Sequence, residues 1–405
     1  MNIENRCSEV LRKQDPGGKL KTVLFSDTKI PSPLILASGA LIEKPEQIDP
    51  FLEAGVGAVV PRTTRKTMER KRHPSPHLYQ IGRRGSEMML NAEWTGADIG
   101  FWRPYLDKVS ETQQVIMSVS GRNIEDCVEV CKELDLYNFP YLEINVGCAH
   151  SNSINGFITR NSDHIKQLTT SIKDSGVVTP IALKLGHSDF IVNLANVAKE
   201  AGADAIVAIN TFGPLFDFNI DEKGNPQRVL GITGSQGGMS GAPLFNIALT
   251  DVANIKHQVG IPVIGCGGVR TEEHVIKMLM AGASAVQIYT AAHVKGINAP
   301  NFFTSLNKKM LKYLDAKGIS KIENVKDLAL ELLDNDTNLN PIVPKVDDNC
   351  TGCGKCITIC LPEAINDLGN SENNDGKVEI DEEKCVGCGH CVSVCPSDAI
   401  AVEKI

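Results

Sequence analysis

Eight cysteines near the end of the chain repeat one spacing twice. The first four follow the pattern C-x2-C-x2-C-x3-C from Cys350 to Cys360, and the second four follow it from Cys385 to Cys395. In this pattern three thiolates ligate one 4Fe-4S cluster and the fourth reaches the neighbouring cluster. The spacing therefore predicts two clusters, each with four cysteine ligands: Cys350, Cys353, Cys356 and Cys395 for one, and Cys385, Cys388, Cys391 and Cys360 for the other.

A structural zinc site is the alternative use of clustered cysteines, but zinc needs only four ligands and is rarely spaced in this way. Glycines inside both motifs, TGCGKC and VGCGHC, let backbone NH groups turn toward the cluster sulfides. Leu361 follows the fourth cysteine of the first motif where Pro396 stands in the second, a change that affects a turn but no ligand. Two clusters in one small module indicate transfer of single electrons.

Eight short apolar runs alternate with longer amphipathic stretches, a pattern typical of a parallel β/α protein. Eight strands over about 260 residues match the usual size of a (β/α)8 TIM barrel, whose active site lies at the carboxyl ends of the strands. Polar or glycine residues close nearly every run, whereas in an open doubly wound sheet only strands near the switch point need such endings. We therefore favour the barrel over the open sheet. The runs are 34–40, 58–63, 114–120, 141–146, 180–186, 205–211, 262–268 and 285–290.

Two connections between the runs, 64–113 and 212–242, are too long for ordinary loops and are interpreted as excursions over the barrel mouth. After about residue 340 the composition changes to a linker and then to the cysteine motifs. We therefore expect two domains, a catalytic barrel over residues 1–335 and a ferredoxin-type 4Fe-4S domain over residues 336–405.

The chain of 405 residues has a formal net charge of -8 and a pI near 5.7, which disfavours a nucleic-acid-binding surface. The first residues contain no apolar run of a signal peptide, and the sequence contains no run of about 18 apolar residues. We expect a cytoplasmic protein with neither membrane nor nucleic-acid partners. Cys7, Cys127, Cys131 and Cys266 are interpreted as structural cysteines.

Motifs at the ends of the runs agree in order and spacing with one known family. They are ASG at 37–39, LNAE at 90–93, EINVGCAH at 143–150, ALKLG at 182–186, AINT at 208–211, QGGMSGAP at 236–243, CGGV at 266–269 and QIYTA at 287–291. On these motifs the sequence resembles the dihydroorotate and dihydropyrimidine dehydrogenase family over roughly residues 31–300. The order of barrel and then ferredoxin module is similar to that of the dihydropyrimidine dehydrogenases in this family.

The resemblance implies an FMN cofactor at the barrel mouth. Lys184, inside a run where a solvated lysine is out of place, would put a positive charge near the N1/O2 edge of the flavin. Arg62 stands where the family usually has a lysine, and a guanidinium does not reproduce ammonium geometry. The late glycine-rich loops would surround the FMN phosphate. The residues implied to bind FMN are Ala37, Ser38, Gly39, Arg62, Thr63, Lys184, Gly241, Gly267, Gly268, Tyr289 and Thr290.

The resemblance also implies a substrate ring with alternating carbonyl and NH groups, such as uracil or thymine. Cys148 would be the general acid that protonates one carbon while the flavin gives hydride to the next, since a thiol with an ordinary pKa of about 8.5 is protonated at neutral pH. His150 takes the position where pyrimidine-reducing members carry His and orotate-type members carry Asn. The residues implied to hold the ring are Asn91, Asn145, Asn210 and Thr211.

We therefore expect reduction of the 5,6 double bond of uracil or thymine. No GxGxxG motif follows a strand, so NAD(P)H would act only through a partner, an FAD/NAD(P)H-binding electron-donor subunit or a ferredoxin, in a homo- or hetero-oligomer. Dihydroorotate oxidation, with Arg62 pairing the carboxylate, and reduction of another N-heterocycle are the alternatives. An activity like that of tRNA-dihydrouridine synthases is disfavoured by the net charge, and a pure electron carrier leaves the barrel motifs unexplained.

Overall fold

The computed structural model describes residues 15, 17–67, 76–81, 88–91, 97–108, 114–147, 161–231, 236–334, 342–371, 374–375 and 377–402. The chain divides into two compact units, Met1–Asp334 and Asn335–Ile405. The first unit contains the eight parallel strands expected from the apolar runs, and the second contains the cysteine repeat.

Eight parallel strands of the first unit form one sheet in the order β4-β3-β16-β15-β10-β9-β8-β7. Its two end strands also meet, because Val59 pairs in parallel with Val115, and the NH of Ile116 donates to the carbonyl of Val59 at 2.9 Å. The sheet therefore closes on itself, and the predicted (β/α)8 barrel is confirmed. The strands are β3 Leu34–Leu36, β4 Ala58–Val59, β7 Ser118–Val119, β8 Leu142–Asn145, β9 Ile181–Leu185, β10 Ala205–Ala208, β15 Val263–Cys266 and β16 Ala283–Ile288.

The barrel strands are apolar throughout because both of their faces are buried. Successive side chains of a strand point to opposite faces. In β3, Leu34 and Leu36 pack against the helix layer, whereas Ile35 packs inside the barrel with Ile264 and Val207. Parallel strands covered on both faces therefore appear in the sequence as continuous apolar runs rather than as alternating patterns.

Helices follow the strands and cover the outside of the barrel. In α3, Asn123 caps the first turn by accepting the NH of Asp126 at 2.8 Å, and the buried face includes Cys127 and Cys131. Both cysteines are thus core residues. No helix among the described residues is long and apolar enough to cross a membrane. The helices of this unit are α1 Asp49–Glu53, α2 Ile99–Leu106, α3 Ile124–Leu134, α4 Ser162–Asp174, α5 Ile191–Glu200, α6 Phe245–Val259, α7 Glu272–Met280, α8 Thr290–His293 and α9 Ala299–Ala316.

A four-stranded antiparallel sheet lies in the two long connections that the sequence marks as excursions. Its order is β11-β14-β6-β5, and residues 88–91 of β6 pair with residues 238–241 of β14. This pairing joins the connection after β4 to the connection after β10, so both are held at the carboxyl ends of the barrel strands. Its strands are β5 Leu78–Gln80, β6 Met88–Asn91, β11 Phe212–Phe216 and β14 Gln236–Gly241. Two separate antiparallel pairs of this unit are β1 Thr22–Val23 with β2 Lys29–Ile30, and β12 Phe218–Ile220 with β13 Pro226–Arg228.

The second unit repeats one small pattern twice. Each cysteine motif passes through glycines in the left-handed conformation, at φ 65° and 69° for Gly352 and Gly354 and at φ 70° and 71° for Gly387 and Gly389. A short helix follows each pair of glycines, and two antiparallel strand pairs flank the helices. The elements are β17 Lys345–Val346, α10 Lys355–Ile359, β18 Ile365–Asp367, β19 Asn370–Ser371, β20 Asn374–Asp375, β21 Val378–Ile380, α11 His390–Val394 and β22 Ile400–Ala401.

Candidate functional site

A cleft of about 720 Å³, open to solvent, lies at the carboxyl ends of the barrel strands. It is lined by residues from the ends of β3, β9, β10, β15 and β16 and from the antiparallel sheet, which is where a barrel places its active site. The structure brings most of the predicted FMN and substrate residues together here. Those that line the cleft are Ala37, Ser38, Gly39, Asn91, Lys184, Asn210, Thr211, Gly241, Gly267, Gly268, Tyr289 and Thr290.

A buried charge pair lies at the inner end of the cleft. Lys184 on β9 and Glu143 on β8 are 5% and 0% exposed, and the Lys184 ammonium lies 3.4 Å from the Glu143 carboxylate. Gln287 on β16 completes the arrangement, because its carbonyl oxygen accepts from Lys184 at 2.8 Å and its amide donates to Glu143 at 2.7 Å. The ammonium is therefore held in one position facing the cleft.

Burial and the neighbouring carboxylate act on Lys184 in opposite directions. Burial disfavours the charged ammonium, whereas the negative charge of Glu143 favours it. The carboxylate prevails, and the pKa of Lys184 lies above its ordinary value. The cleft thus contains a permanent positive charge at neutral pH.

A second set of polar side chains forms a chain of hydrogen bonds across three strand ends. The Asn210 amide donates to the Asn145 carbonyl oxygen at 2.9 Å, and the Asn145 amide donates to the Thr63 hydroxyl at 3.1 Å. Thr63 also lies 3.1 Å from the Ser118 hydroxyl, and the NH of Thr211 donates to Asn210 at 2.8 Å. Asn145 and Thr63 do not line the cleft, so they orient Asn210 from behind.

Two glycines at the ends of barrel strands leave no room for a side chain, because an added Cβ would collide with neighbouring atoms. Gly268 has φ +68°, and a Cβ on it would lie 2.4 Å from the backbone nitrogen of Phe245. Gly39 is packed against the Tyr289 ring, where a Cβ would lie 2.2 Å from a ring carbon, and the Tyr289 hydroxyl accepts from the NH of Ala40 at 2.9 Å. Backbone groups are thereby exposed to the cleft, as phosphate binding requires.

These observations fit a flavin mononucleotide. The cleft offers a buried cation at one end for the N1/O2 edge of the ring and glycine loops of positive φ at the other for the phosphate. When it is bound, FMN supplies hydride chemistry that the side chains alone cannot.

Gly268→Ala is expected to weaken FMN binding about tenfold or more, which corresponds to about 1.4 kcal/mol. The new methyl group must displace the backbone of Phe245 and with it the loop that surrounds the phosphate. Gly260→Ala is the matched control, because Gly260 has φ +69° but no atom within 4 Å of the added methyl. Titration of the apoprotein with FMN, followed by quenching of flavin fluorescence, measures both dissociation constants. Equal weakening in both variants would contradict a phosphate role for the loop.

Arg62 lies apart from the cleft lining. It is buried, and its guanidinium forms an ion pair with Glu43. Contact of Arg62 with FMN or with a substrate carboxylate therefore stays a prediction. Cys148 and His150 lie outside the described residues, so the predicted acid and the residue two positions after it stay predictions as well.

Two residues of the charge network were missed from the sequence as functional candidates. Glu143 and Gln287 are polar residues at fully buried positions of the largely apolar strands LEIN and ASAVQI. A polar side chain buried in such a strand requires a buried partner, and this signal was present in the sequence. Other cleft-lining residues not foreseen as cofactor or substrate ligands are Ile209, Ser240, Ala242, Leu244, Cys266, Val269, Arg270, Ile288 and Ala291.

Four cysteines of the second unit, drawn from both motifs, lie around one small pocket. Three come from the first motif and one from the second: Cys350, Cys353, Cys356 and Cys395. Around the other set, the NH of Ala364 donates to the Cys360 sulfur at 3.3 Å and the NH of Gly387 to the Cys385 sulfur at 3.5 Å. Such NH-to-sulfur bonds are typical of iron-sulfur sites.

A zinc ion would need its cysteine ligands closer together than these side chains lie. Tetrahedral zinc holds its sulfur ligands at about 2.3 Å from one ion. Within the part of the chain that the structure describes, no three His, Cys, Asp or Glu side chains are close enough to hold a single metal ion. In a 4Fe-4S cluster each cysteine binds a different iron atom, so the four sulfur atoms lie farther apart than around one zinc ion. Four cysteines around a pocket fit such a cluster.

Alanine substitutions can test the crossed pattern by iron content. Cys353→Ala and Cys395→Ala are each expected to lose about four of eight iron atoms, and the double variant is expected to lose no more than either, because all four belong to one cluster. Cys353→Ala combined with Cys360→Ala is expected to lose both clusters. If instead the 353/395 double variant lost all iron, each motif would hold its own cluster, contrary to the shared pocket.

The barrel with a buried cation and glycine-rich loops at its cleft, in one chain with a two-cluster unit, defines an iron-sulfur flavoprotein oxidoreductase. The family described as dihydroorotate dehydrogenase matches residues 20–313, and the family described as 4Fe-4S dicluster domain matches residues 349–399. The chain belongs to the dihydroorotate dehydrogenase family. It is accordingly an FMN- and 4Fe-4S-containing oxidoreductase of pyrimidine metabolism that acts on CH-CH groups.

Several similar proteins match about three quarters of this chain and nearly all of their own length. The catalytic subunit of dihydroorotate dehydrogenase B (NAD(+)) from Thermococcus kodakarensis is 30% identical over 313 residues, which span 76% of this chain and 98% of that protein. The subunit of the same name from Methanosarcina mazei is 30% identical over 332 residues, 80% of this chain and 100% of that protein. The one from Pyrococcus furiosus is 29% identical over 313 residues, with shares of 76% and 98%.

Proposed function

We propose that the protein reduces the 5,6 double bond of uracil or thymine, with electrons delivered through the two 4Fe-4S clusters to FMN. The observation that carries the proposal is the kind of polar group at the substrate end of the cleft. Asn91, Asn210 and Thr211 offer amides, a hydroxyl and backbone groups there. Such groups pair with the alternating carbonyl and NH groups of an uncharged pyrimidine ring.

The positions of the two cationic side chains at the cleft favour an uncharged substrate over a carboxylate. Among its described lining residues, Lys184 and Arg270 are the cationic side chains. Lys184 is bonded to Glu143 and Gln287, and Arg270 follows the phosphate-side glycines Gly267 and Gly268 in the chain. Among the described lining residues, a carboxylate on the ring would therefore lie beside amides without a paired charge, which is unfavourable.

Each side chain has a defined task in this reaction. Lys184, which remains an ammonium next to Glu143, would hold the flavin ring and would stabilise negative charge on it. Asn210, oriented by Asn145 and Thr63, fixes the pyrimidine ring. Cys148 would give its thiol proton to one carbon of the double bond, and bound FMN would supply the hydride for the other carbon. Solvent would return a proton to the thiolate, so that one hydride and one proton saturate the bond.

The electrons come from outside this chain. A separate FAD- and NAD(P)H-binding subunit or a ferredoxin supplies them, since the sequence contains no GxGxxG dinucleotide motif after a strand. The relatives are named catalytic subunits of an NAD(+)-dependent enzyme, and this name supports a partner subunit here.

Dihydroorotate oxidation is the second candidate, and the names of the relatives favour it. Titration of the oxidised protein with uracil, thymine and orotate distinguishes the two, because a ring stacked on FMN shifts the flavin absorbance. We expect saturable shifts with uracil or thymine at concentrations where orotate gives none. Saturation by orotate alone would overturn the proposed substrate and favour the second candidate.

A further inference from the structure

The second unit carries the entire net charge of the chain. Residues 335–405 include 13 Asp and Glu but only 5 Lys and Arg, a formal charge of -8. The whole chain also has a net charge of -8, so residues 1–334 are formally neutral. A protein that approaches the clusters therefore meets an acidic surface, and basic partners are attracted to it.

Two large apolar side chains are exposed within this acidic unit, each next to a cysteine of the repeat. Leu361 is 94% exposed and follows Cys360, and Val386 is 61% exposed and follows Cys385. In the crossed ligand pattern these two cysteines hold the same cluster. Leu361 and Val386 thus each follow a ligand of the same cluster in the chain.

The repeat provides an internal comparison, because the two motifs have the same backbone but different side chains. The glycines of both have φ between 65° and 71°. Thr351 occupies the position of Val386, and Pro396 occupies the position of Leu361. Large apolar side chains at these two positions are therefore found next to one cluster but not next to the other. The ligand motif forms without them.

Acidic residues border the apolar pair on the chain. Glu363 follows Leu361 by two residues, and Glu382 and Glu383 precede Val386 by four and three residues; all three are exposed. An apolar centre with a charged rim is the usual composition of a protein interface. Contact with an apolar surface of a partner would remove both side chains from water, which is favourable.

We propose that Leu361 and Val386 are the docking surface for the external electron donor, a redox protein that presents an apolar contact surrounded by basic side chains. Electrons then enter the chain at the cluster held by Cys385, Cys388, Cys391 and Cys360. This inference rests on the proposed function only in that electrons come from outside the chain, and it is independent of which pyrimidine is reduced.

Cytochrome c, a small basic one-electron carrier, can serve as the probe. In the assay the protein is photoreduced without oxygen and mixed with ferric cytochrome c, so that each electron leaving a reduced cluster converts one ferric haem to ferrous. The test variant is Leu361→Ser/Val386→Thr. The matched control is Leu332→Ser/Val178→Thr, which makes the same substitutions at side chains of the first unit that are 80% and 82% exposed.

We expect the test variant to lower the second-order rate constant about fivefold or more, while the control stays within twofold of the unmodified protein. The rate of all three should fall with rising salt, since attraction by the acidic unit is screened. Binding of cytochrome c to the oxidised protein, measured by calorimetry at low salt, should weaken in the same variant. Iron content and visible spectra must remain unchanged.

Two results would overturn the proposal. Equal rates and equal binding in the test and control variants would show that the apolar pair contacts no electron carrier. Slower electron flow from reduced methyl viologen to the pyrimidine in the test variant would also overturn it. Methyl viologen needs no docking surface, so Leu361 and Val386 would then be needed for contacts within the protein. Cytochrome c reduction needs no pyrimidine, so failure of the proposed substrate leaves this test intact.

Discussion

Lys184→Met is expected to destabilise the barrel by about 3–5 kcal/mol, the usual cost of removing one partner of a buried ion pair. Met is similar in length to Lys but carries no charge, and it leaves the fully buried Glu143 carboxylate without its cation. The single substitution is also expected to slow flavin reduction, because the positive charge near the ring is lost. Urea unfolding and the rate of FMN reduction measure the two effects separately.

The double variant Lys184→Met/Glu143→Gln separates folding from chemistry. Replacing both members of a buried pair with neutral groups of similar shape is often neutral in stability. We expect most of the lost stability to return, because the new glutamine can bond to Gln287, while the slow flavin reduction persists. If the double variant recovered normal flavin reduction, Lys184 would have only a structural role.

Cys148→Ala is expected to lower turnover by about 10²- to 10⁴-fold, the range associated with loss of a general acid. Uracil binding and the FMN and iron contents should remain, because a methyl group removes the proton donor and little volume. Steady-state reduction of uracil, followed by the loss of its ultraviolet absorbance, gives the rate.

Cys131→Ala is the matched control for this substitution. Cys131 is a fully buried residue of α3, on the outside of the barrel sheet, and is expected to affect stability but not turnover. Full turnover by Cys148→Ala with both cofactors loaded would eliminate the thiol as the acid. The same loss in both variants would indicate general damage to the fold.

The barrel could be predicted from the sequence because every strand is buried on two faces and appears as an apolar run. The bounds of the strands differ from those of the predicted runs. The run 114–120 contains only Ser118–Val119 as a strand, because Val115 meets its neighbour through an isolated bridge. Burial thus determines where a strand lies, whereas local hydrogen bonds determine how far it extends.

The antiparallel sheet could not be predicted in the same way. β14 has the sequence QGGMSG, and glycine-rich segments have low strand propensity. Its pairing with β6 joins residues about 150 positions apart, through Gly238 and Asn91. Such long-range pairing leaves no local pattern, so only the unusual length of the two connections indicated structure there.

The candidate site was predicted residue by residue through its motifs, but its internal organisation was not. Flavin contact by Thr63 stays a prediction, and the structure adds bonds of its hydroxyl to Asn145 and Ser118 that the sequence did not show. Glu143 and Gln287 begin the motifs EINVGCAH and QIYTA, but neither motif shows that the two side chains bond to Lys184. Hydrogen-bond partners across strands depend on register and side-chain direction, which the sequence of one strand does not contain.

Reoxidation of the reduced protein by candidate substrates tests the proposed function most directly. The protein is reduced anaerobically and mixed in a stopped-flow instrument with uracil, thymine, orotate or buffer while FMN absorbance is followed. Fast reoxidation by uracil or thymine, with orotate no faster than buffer, is the predicted result. Fast reoxidation by orotate alone, or by none of the three, would contradict the assignment of this protein as a uracil or thymine reductase.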